Sequence, residues 1–398
     1  MRFRRMAEMG RNQTVGGVIA KAALMMFGIA LLAGFGGCEK VPTFQELTQQ
    51  GQTATPSTTV VPADQAKQAA AQPAIAVQPA TPIEDAQKVI SDFKNKPPGE
   101  RIDGDLARLA NLSTGLDSIT EMDLNASAVT DVGVKHLAKL TNLESISLAT
   151  TKITEVGLAA TQELPKLKSM NLAGCTVTPV MMETLSKLEH LEVLSLEGTK
   201  VTDNSLPPLA ELALLKDLNL SYCPITDNAF KVLGTLKFLE ILKVSNTSIN
   251  GSGMQFMKRK RDEAGLRVLD VKKTRFGEAG LQYLRGVETL EELDAGQCEV
   301  TDRTLQNLKG VNHLKKLSLA FNNISDKGTQ PLGSIKSLEE LVLRNCQYVG
   351  DVTLGYLKTS KELRILDVNG CSNVTANGAS LLKKFLPKCE IRYMGTTK

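Results

Sequence analysis

The residues best able to carry chemistry in this 398-residue chain are seven cysteines and three histidines. Cys223, for example, lies in the stretch LKDLNLSYCPITD, shortly after a run of alternating leucines. A thiol redox centre or a zinc site needs closely paired ligands such as C-x-x-C, and no two cysteines have that spacing. The sequence also contains no G-x-S-x-G, no H-E-x-x-H and no glycine-rich phosphate loop. These patterns predict a protein without a catalytic, metal or cofactor site.

The charge of the chain is concentrated at its amino end. The formal net charge is +4, and the first 37 residues alone carry five basic residues and one acidic residue. The remainder has 42 of each sign, so it presents no net field that would attract phosphate backbones. With 4% aromatic residues and no tryptophan, the composition disfavours nucleic-acid binding as well as catalysis.

A hydrophobic segment of signal-peptide length precedes Cys38. The apolar run AALMMFGIALLAGFGG follows a basic region that ends at Lys21, and it is shorter than the roughly 20 residues that a membrane span needs. The stretch GFGGC resembles a bacterial lipobox, at which a cysteine is lipidated and becomes the first residue of the mature protein. We therefore expect a lipoprotein signal peptide over residues 1–37, a lipid anchor at Cys38, and a body in the cell envelope that faces the periplasm or the cell exterior. The alternative is an uncleaved anchor in which Cys38 has no role.

Two segments of different character follow Cys38. Residues 38–82 are rich in Pro, Ala, Gln and Thr and contain little large apolar surface, which predicts a disordered tether. Residues 83–118 begin with IEDAQKVISDFKN, in which apolar residues recur at helical spacing until two prolines and a glycine stop the pattern. We interpret residues 83–118 as an N-terminal cap, although residues 100–118 show no clear pattern of their own.

The sequence from Ile119 onward repeats itself. Successive segments start 24 residues apart, except that repeat 6 has 27 residues and repeat 10 has 25. Within a repeat, positions 4 and 6 alternate as in a strand, and positions 16, 19 and 22 recur at helical spacing. Thr at position 12 and Asp at position 13 predict a helix N-cap and a first-turn acid. Repeats 1–11 begin at Ile119, Leu143, Leu167, Leu191, Leu215, Leu239, Leu266, Leu290, Leu314, Leu338 and Leu363.

This pattern, L-x-x-L-x-L-x-x-(T/C/N)-x-(V/I)-T-D, resembles that of the leucine-rich repeat family, especially its cysteine-containing branch and the bacterial relatives of that branch. The resemblance covers residues 119–389 and implies an α/β fold: a right-handed solenoid (horseshoe) with a parallel β-sheet of eleven strands on the concave face and short helices on the convex face. Residues 390–398 remain as a C-terminal cap and tail. The resemblance also implies binding of a protein or peptide, without catalysis, cofactor or metal.

Position 9 of the repeats accounts for five of the seven cysteines. In the family this position points inward, and its small polar side chain hydrogen-bonds backbone groups left open by the turn, which Ser, Thr, Asn and Cys can all do. We expect these cysteines to be buried and free, with a disulfide between Cys346 and Cys371 as the alternative; Cys389 has no assigned role. The three histidines lie in separate repeats and are expected to be solvated or helix-capping residues.

Two charge patterns accompany the repeats. Position 2 alternates in sign through ten consecutive repeats, from Glu144 to Arg364. In an in-register parallel sheet these side chains are neighbours about 4.8 Å apart, so we predict a ladder in which every acid lies between two bases. The run KRKR, residues 258–261, lies in the 27-residue repeat. We interpret it as a solvated insertion, with an anion-binding patch as the alternative.

The candidate binding residues lie on the concave face of repeats 5–9. Asp270 and Asp294 fall at position 5 of adjacent repeats and Glu292 at position 3 of the second, although like charges on neighbouring strands destabilise a sheet. We interpret these acidic residues as candidates for a function that the fold itself does not require. Tyr222 and Phe321, at position 8 of repeats 5 and 9, flank the acidic zone about 19 Å apart. We predict that a basic or mixed-charge peptide segment docks across these residues.

The sequence is compatible with two functions. The first is a membrane-tethered recognition module outside the cytoplasm that binds a protein or peptide and has no catalytic activity. The second is a passive structural or spacer protein of the cell envelope whose faces bind nothing specific. In that case Asp270 and Asp294 are a solvated acidic pair that Lys243 and Lys316 partly neutralise, and the aromatic residues cover the turns. Either function implies contact with a membrane through the lipid anchor, and neither implies contact with nucleic acid.

Overall fold

A computed structural model of the protein describes residues 85–277, 279–309 and 311–393. The predicted signal peptide, Cys38, the tether and the first two residues of the predicted cap lie outside the described residues, as do residues 394–398. In the described part of the chain, no helix is both long enough and apolar enough to cross a membrane.

Within the described residues, twelve parallel strands form one sheet in which the order of the strands follows the order of the chain. The expectation of eleven strands is wrong by one, because Glu390–Arg392 pairs in register with the preceding strand and extends the sheet into the segment predicted as cap and tail. The strands are β1 (Glu121–Asp123), β2 (Ser145–Ser147), β3 (Ser169–Asn171), β4 (Val193–Ser195), β5 (Asp217–Asn219), β6 (Ile241–Lys243), β7 (Val268–Asp270), β8 (Glu292–Asp294), β9 (Lys316–Ser318), β10 (Glu340–Val342), β11 (Ile365–Asp367) and β12 (Glu390–Arg392).

Short helices on the convex face connect the strands, as the repeat pattern predicts. The α-helices of the described residues are α1 (Ala86–Asn95), α2 (Asp103–Ala110), α3 (Asp131–His136), α4 (Glu155–Ala160), α5 (Pro179–Leu185), α6 (Phe230–Leu233), α7 (Gly280–Tyr283), α8 (Asp302–Leu305), α9 (Asp326–Thr329), α10 (Asp351–Leu357) and α11 (Ala376–Phe385). Stretches of 3-10 helix occupy Pro98–Glu100, Leu116–Ser118, Leu137–Lys139, Thr161–Glu163, Asp203–Ser205, Pro207–Glu211, Asp227–Ala229, Ser252–Met257, Leu284–Gly286, Gln306–Leu308 and Gln330–Ser334.

Each strand has only three residues, and its central side chain points into the core. Leu194 of β4 lies in register with Leu218 of β5, and the two are 1% and 0% exposed. Positions 4 and 6 of successive repeats therefore stack into continuous apolar columns, which the helical side chains cover from the convex side. Full burial of one such leucine stabilises the fold by about 1.5–3 kcal/mol. Because the columns run between repeats, each repeat depends on its neighbours for stability.

The chain leaves every strand from β1 to β11 through a residue in the left-handed conformation. Position 8 has φ between 53° and 77° in all eleven repeats. Glycine adopts this conformation freely, whereas another residue in it costs about 1–2 kcal/mol. The position-8 residues are Ala126, Thr150, Gly174, Gly198, Tyr222, Asn246, Lys273, Gln297, Phe321, Asn345 and Gly370.

Neighbouring repeats are also clamped by aspartates at the starts of the helices. The Asp131 carboxylate accepts a hydrogen bond from the N–H of Thr154 at 2.8 Å and another from its hydroxyl at 2.7 Å. Thr154 in turn caps α4 by accepting from the Val156 N–H. Residue 157 is a glycine, since a Cβ at this position would collide with the Asp131 carboxylate. The same clamp joins Asp103 to Thr130, Asp203 to Thr226, Asp302 to Ser325 and Asp351 to Thr375.

A cationic side chain covers each edge of the sheet. Arg101, only 6% exposed, stacks over the Phe93 ring at 4.4 Å and donates to the Asp123 carbonyl, which inside the sheet would accept from a preceding strand. At the other edge Lys383 Nζ donates to the Cys389 carbonyl at 2.6 Å. These contacts occupy acceptors that an added strand would otherwise use. Residues 100–118, which show no pattern in the sequence, supply both Arg101 and the helix α2.

Candidate functional site

The position-9 side chains form a buried ladder of donors to strand carbonyls. Thr199 donates to the Leu196 carbonyl of its own repeat at 2.7 Å, whereas Cys223 donates to that same carbonyl from the following repeat at 3.1 Å. The other position-9 cysteines likewise donate to the preceding repeat. The prediction that this position points inward and bonds backbone is confirmed. Cys346 and Cys371 are both free, so the alternative of a disulfide between them is wrong.

Burial makes these thiols poor nucleophiles. Desolvation raises the pKa of Cys346 to about 12 and those of Cys371 and Cys389 to about 11. The pKa values of Cys223 and Cys298 are also raised, again chiefly by burial. Since the thiolate is the reactive and metal-binding form, these groups stay protonated and inert near neutral pH.

One histidine departs from the expectation of solvated or capping residues. His190 is exposed, but His313 is half-buried and burial lowers its pKa. Its Nε2 atom has no hydrogen-bond partner among the described residues. His313 borders a cavity of about 240 Å³ that Arg261 and Glu288 also line. In the part of the chain that the structure describes, no group of three His, Cys, Asp or Glu residues is placed to hold a metal ion.

The aspartates at position 5 have a structural role that the sequence interpretation missed. Asp270 Oδ1 accepts the N–H of Lys272 at 3.0 Å, and Asp294 Oδ1 accepts the N–H of Gly296 at 3.1 Å. These Asx turns guide the chain into the left-handed residue at position 8. Both residues therefore also take part in the fold, each through one side-chain oxygen. Neutral asparagines make the same turn at positions 171 and 219, so the turn needs the side-chain oxygen and not the negative charge.

The side chain at position 7 of one repeat contacts the carboxylate at position 5 of the next repeat, and the donor in this contact is either a neutral hydroxyl or a cation. Asp270 and Asp294 lie directly in register on β7 and β8, as predicted. Each receives a different type of donor from the repeat before it. The three contacts to position-5 aspartates are Ser245 Oγ to Asp270 at 2.6 Å, Lys272 Nζ to Asp294 at 2.8 Å, and Arg344 Nη2 to Asp367 at 2.6 Å. Ser245 and Lys272 were not predicted as site residues, although the fixed spacing of position 7 pointed to them.

The lysines expected to neutralise the acidic zone behave differently from each other. Lys316 Nζ lies 2.7 Å from the carboxylate of Glu292, which was not part of the acidic pair that it was expected to neutralise. Lys243 lies in register with Asp270, but its ammonium group is 3.9 Å from Asp217 on the other side. Glu292 and Asp294 thus each have a lysine within 3 Å, whereas Asp270 has no ion-pair partner among the described residues.

The acidic residues border a shallow groove across the sheet. The groove has a volume of about 270 Å³ and extends from β6 to β10. Asp270, Glu292 and Asp294 lie on its walls, and Val268 and Val342 contribute apolar surface. The predicted acidic residues are thus brought together in one concave space, in a form that suits an extended segment carrying both charged and apolar side chains.

Tyr222 and Phe321 lie at the ends of β5 and β9, outside this groove. They are 56% and 58% exposed, and both hold the left-handed conformation that glycine occupies at position 8 of repeats 3, 4 and 11. The left-handed backbone is shared by position 8 of every repeat, so what distinguishes these two residues is a large aromatic ring that is more than half exposed. Three repeats separate them, so a partner that contacts both must extend about 19 Å along the sheet.

The charged column at position 2 forms ion pairs, but not the uniform ladder that was predicted. Lys216 and Arg267, which flank Glu240, bond instead to Glu192 at 2.6 Å and Glu291 at 3.0 Å. Among the described residues, Glu240 has no ion-pair partner. Glu291 instead bonds two bases, since Lys315 lies 2.8 Å away.

The interpretation of KRKR as a solvated insertion is wrong for one of its residues. Arg259 is half-buried and its Nη2 group donates to the Gly234 carbonyl at 2.9 Å, while its backbone N–H donates to the Gly286 carbonyl at 2.9 Å. The insertion is therefore tied to the repeats on both sides of it.

Comparisons with known proteins place this fold among characterised structures. A family model described as a leucine-rich repeat region matches residues 166–384. An internalin (InlF) of Listeria monocytogenes matches with a TM-score of 0.52 and 20% identity, covering 79% of this chain and 95% of the internalin. A chain of the yeast Rad7–Elc1 complex matches with a TM-score of 0.48 and 20% identity, covering 77% of this chain and 74% of that one. The comparison with curated proteins finds no match.

Proposed function

This chain belongs to the leucine-rich repeat family, and we propose that it is a non-catalytic recognition module that binds a protein or peptide across the concave face of repeats 5–9. The observation that carries the proposal is the negative charge of the groove, which four carboxylates and two lysines line, and above all the carboxylate of Asp270, which has no ion-pair partner among the described residues. The turn at position 5 needs only a neutral oxygen, as residues 171 and 219 demonstrate, so the charge of Asp270 is available for a partner. A preformed sheet surface also limits the ordering cost of binding.

Tyr222 and Phe321 support the same location. Aromatic side chains supply large contact areas at low conformational cost, and tyrosine is common among residues that dominate binding energies. The left-handed backbone belongs to the turn that all eleven repeats make, but that turn does not require a bulky aromatic ring, since glycine occupies it in repeats 3, 4 and 11. We propose that they contact the two ends of a bound segment, with the acidic groove between them.

Site-specific photocross-linking tests this location. Benzoylphenylalanine is placed at Tyr222 or Phe321 in the intact chain, expressed in the cells that produce it. The matched control is the same group at Phe256, which is exposed on the convex side of repeat 6. We expect one defined protein adduct from the concave positions and none from position 256. Adducts only from position 256 would move the site to the convex face.

The alternative function is a passive spacer of the cell envelope. It predicts that illumination yields no defined adduct from either concave position, and that variants of the acidic groove leave cells unchanged. Two aromatic side chains that are each more than half exposed have no role in a spacer, and for that reason we favour recognition.

We further propose that the protein is a lipoprotein of the cell envelope, anchored through Cys38 and facing the periplasm or the cell exterior. The short apolar run, the GFGGC stretch and the Pro- and Ala-rich segment after it support this assignment. Metabolic labelling with a fatty acid should mark the wild-type chain and the Cys223→Thr control, whereas Cys38→Ala should remain an unlabelled precursor. Persistent labelling of the Cys38→Ala chain would end the lipoprotein assignment.

A further inference from the structure

Asp270 differs from the other position-5 aspartates that follow a repeat, because the side chain that contacts its carboxylate carries no charge. Where a repeat precedes a position-5 aspartate, position 7 of that repeat donates to its carboxylate. Lys272 serves Asp294 and Arg344 serves Asp367, so each of these acids has its own cation within the chain. At Asp270 the donor is the neutral hydroxyl of a serine. The cation that the pattern provides elsewhere is absent at this one position among the described residues.

The second oxygen of Asp270 is available. Oδ1 accepts from the Ser245 hydroxyl at 2.6 Å and from the Lys272 N–H at 3.0 Å. Among the described residues, Oδ2 has no hydrogen-bond or ion-pair partner. Lys243 lies alongside, but its ammonium group is directed to Asp217 at 3.9 Å. A carboxylate fixed through one oxygen and open at the other is preorganised for one more donor.

The surroundings of Asp270 suit the stem of a long side chain. Val268, two residues before it on β7, lines the groove and lies in register with Ile241 of β6. Both side chains are half-buried rather than covered. Lysine and arginine carry an apolar stem that covers such surface while the charged end bonds an acid.

We infer that Asp270 is the specificity anchor of the concave face and binds a lysine or arginine side chain of an extended partner segment, with the stem of that side chain over Val268 and Ile241. This inference rests on the proposed function and names the chemistry that the partner must supply. A metal ion is a poorer occupant, because no cluster of three candidate ligands exists among the described residues.

Two substitutions remove the anchor in different ways. Asp270→Asn deletes the charge but keeps the Asx turn, as Asn171 and Asn219 show. Ser245→Lys supplies within the chain the cation that position 7 provides to Asp294 and should occupy the site in competition with a partner. The matched control is Asp123→Asn, which changes the same position and the same turn in repeat 1, far from the groove.

The test uses a displayed library of random twelve-residue peptides selected on the intact chain, with the enriched peptide synthesised for affinity measurement. We expect enrichment of lysine or arginine beside an apolar residue. Loss of the charge-assisted bond in Asp270→Asn or Ser245→Lys should weaken Kd by roughly ten- to a hundredfold. The Asp123→Asn control should keep the wild-type Kd.

The outcomes separate this inference from the proposed function. Enriched peptides without a basic residue, or basic peptides that bind both variants as tightly as wild type, overturn the anchor while leaving a recognition face. A library that yields no binder, together with no photocross-linked adduct, overturns the recognition function itself. Thermal melts establish that each variant is folded; if Ser245→Lys is not, the comparison of Asp270→Asn with Asp123→Asn decides.

Discussion

The carboxylate of Asp203 in repeat 4 holds Thr226 of repeat 5 through two hydrogen bonds, 2.9 Å from the backbone N–H and 2.5 Å from the hydroxyl. The sequence predicts Asp203 as a first-turn acid that favours the helix dipole. The structure shows that Asp203 also links two repeats, because its carboxylate accepts the N–H and the hydroxyl of Thr226, the capping residue of the next repeat. Stacking is therefore specified by polar contacts on one side of the solenoid as well as by the apolar columns inside it.

We expect Asp203→Ala to lower the free energy of unfolding by about 1–3 kcal/mol, because it removes the acceptor of two half-buried donors on Thr226. Denaturant unfolding at neutral pH measures the change. Asp262→Ala, at an exposed position of the 27-residue repeat, is the control and should fall within about 0.5 kcal/mol of wild type. Equal effects of the two substitutions would show that the clamp adds nothing to stability.

The ladder at position 9 predicts which substitutions Cys223 tolerates. Cys223→Thr should change stability little, because Thr199 still donates to the Leu196 carbonyl and the new hydroxyl can donate within its own repeat. Cys223→Leu should destabilise by about 1–3 kcal/mol through overpacking. Thermal unfolding of both variants checks this, and a Thr variant as unstable as the Leu variant would contradict the ladder.

The strained turn at Tyr222 predicts opposite effects on stability and binding. Tyr222→Gly should leave the melting temperature unchanged or raise it. Glycine relieves about 1–2 kcal/mol of left-handed strain in the folded state, and the greater conformational entropy of glycine in the unfolded chain offsets part of this gain. Binding of the cross-linked partner should weaken at the same time. Thr150→Gly, at the same position in repeat 2, is the control and should leave binding unchanged. A marked loss of stability in Tyr222→Gly would mean that the aromatic ring supports the fold.

Glu291 should be the acid of the position-2 column whose loss matters most. Its hydrogen bond with Lys315 and then its contact with Arg267 hold the pKa of its carboxyl below the usual value, despite partial burial. A lowered pKa means that the stabilisation is complete above the unfolded value of about 4.3 and disappears as pH falls through the lower folded value. Unfolding measured from pH 7 down to pH 3 should show Glu291→Gln converging on wild type, whereas Glu240→Gln should differ little at any pH.

Much of the fold follows from the sequence for a simple physical reason. Eleven phased copies of one apolar pattern leave a single way to bury Leu194, Leu218 and their equivalents, so strands, helices and the orientation of position 9 are predictable. The twelfth strand was missed because Glu390–Arg392 lacks the leucines of the pattern. The role of residues 100–118 was missed because Arg101 acts through one buried contact at the sheet edge rather than through a periodic one.

The candidate site was predictable only in outline. Position numbers placed Asp270 beside Asp294 and kept Tyr222 on the same face, because register follows from the repeat length. The Asx turns and the diagonal contacts could not be read in the same way. They depend on which rotamer each side chain adopts; the ammonium group of Lys243, for example, lies 3.9 Å from Asp217 and forms no ion pair with its register neighbour Asp270.

The most direct test of the recognition function compares two charge-matched double variants of the intact chain for affinity to the protein recovered by cross-linking. One is Asp270→Asn with Asp294→Asn in the groove. The other is Glu183→Gln with Glu211→Gln on the exposed helical side. We predict that the groove variant weakens Kd at least about tenfold, with a reduced dependence on salt, while the helical variant binds as wild type. Full affinity of the groove variant, or an equal loss in both, would contradict binding at the concave face of repeats 5–9.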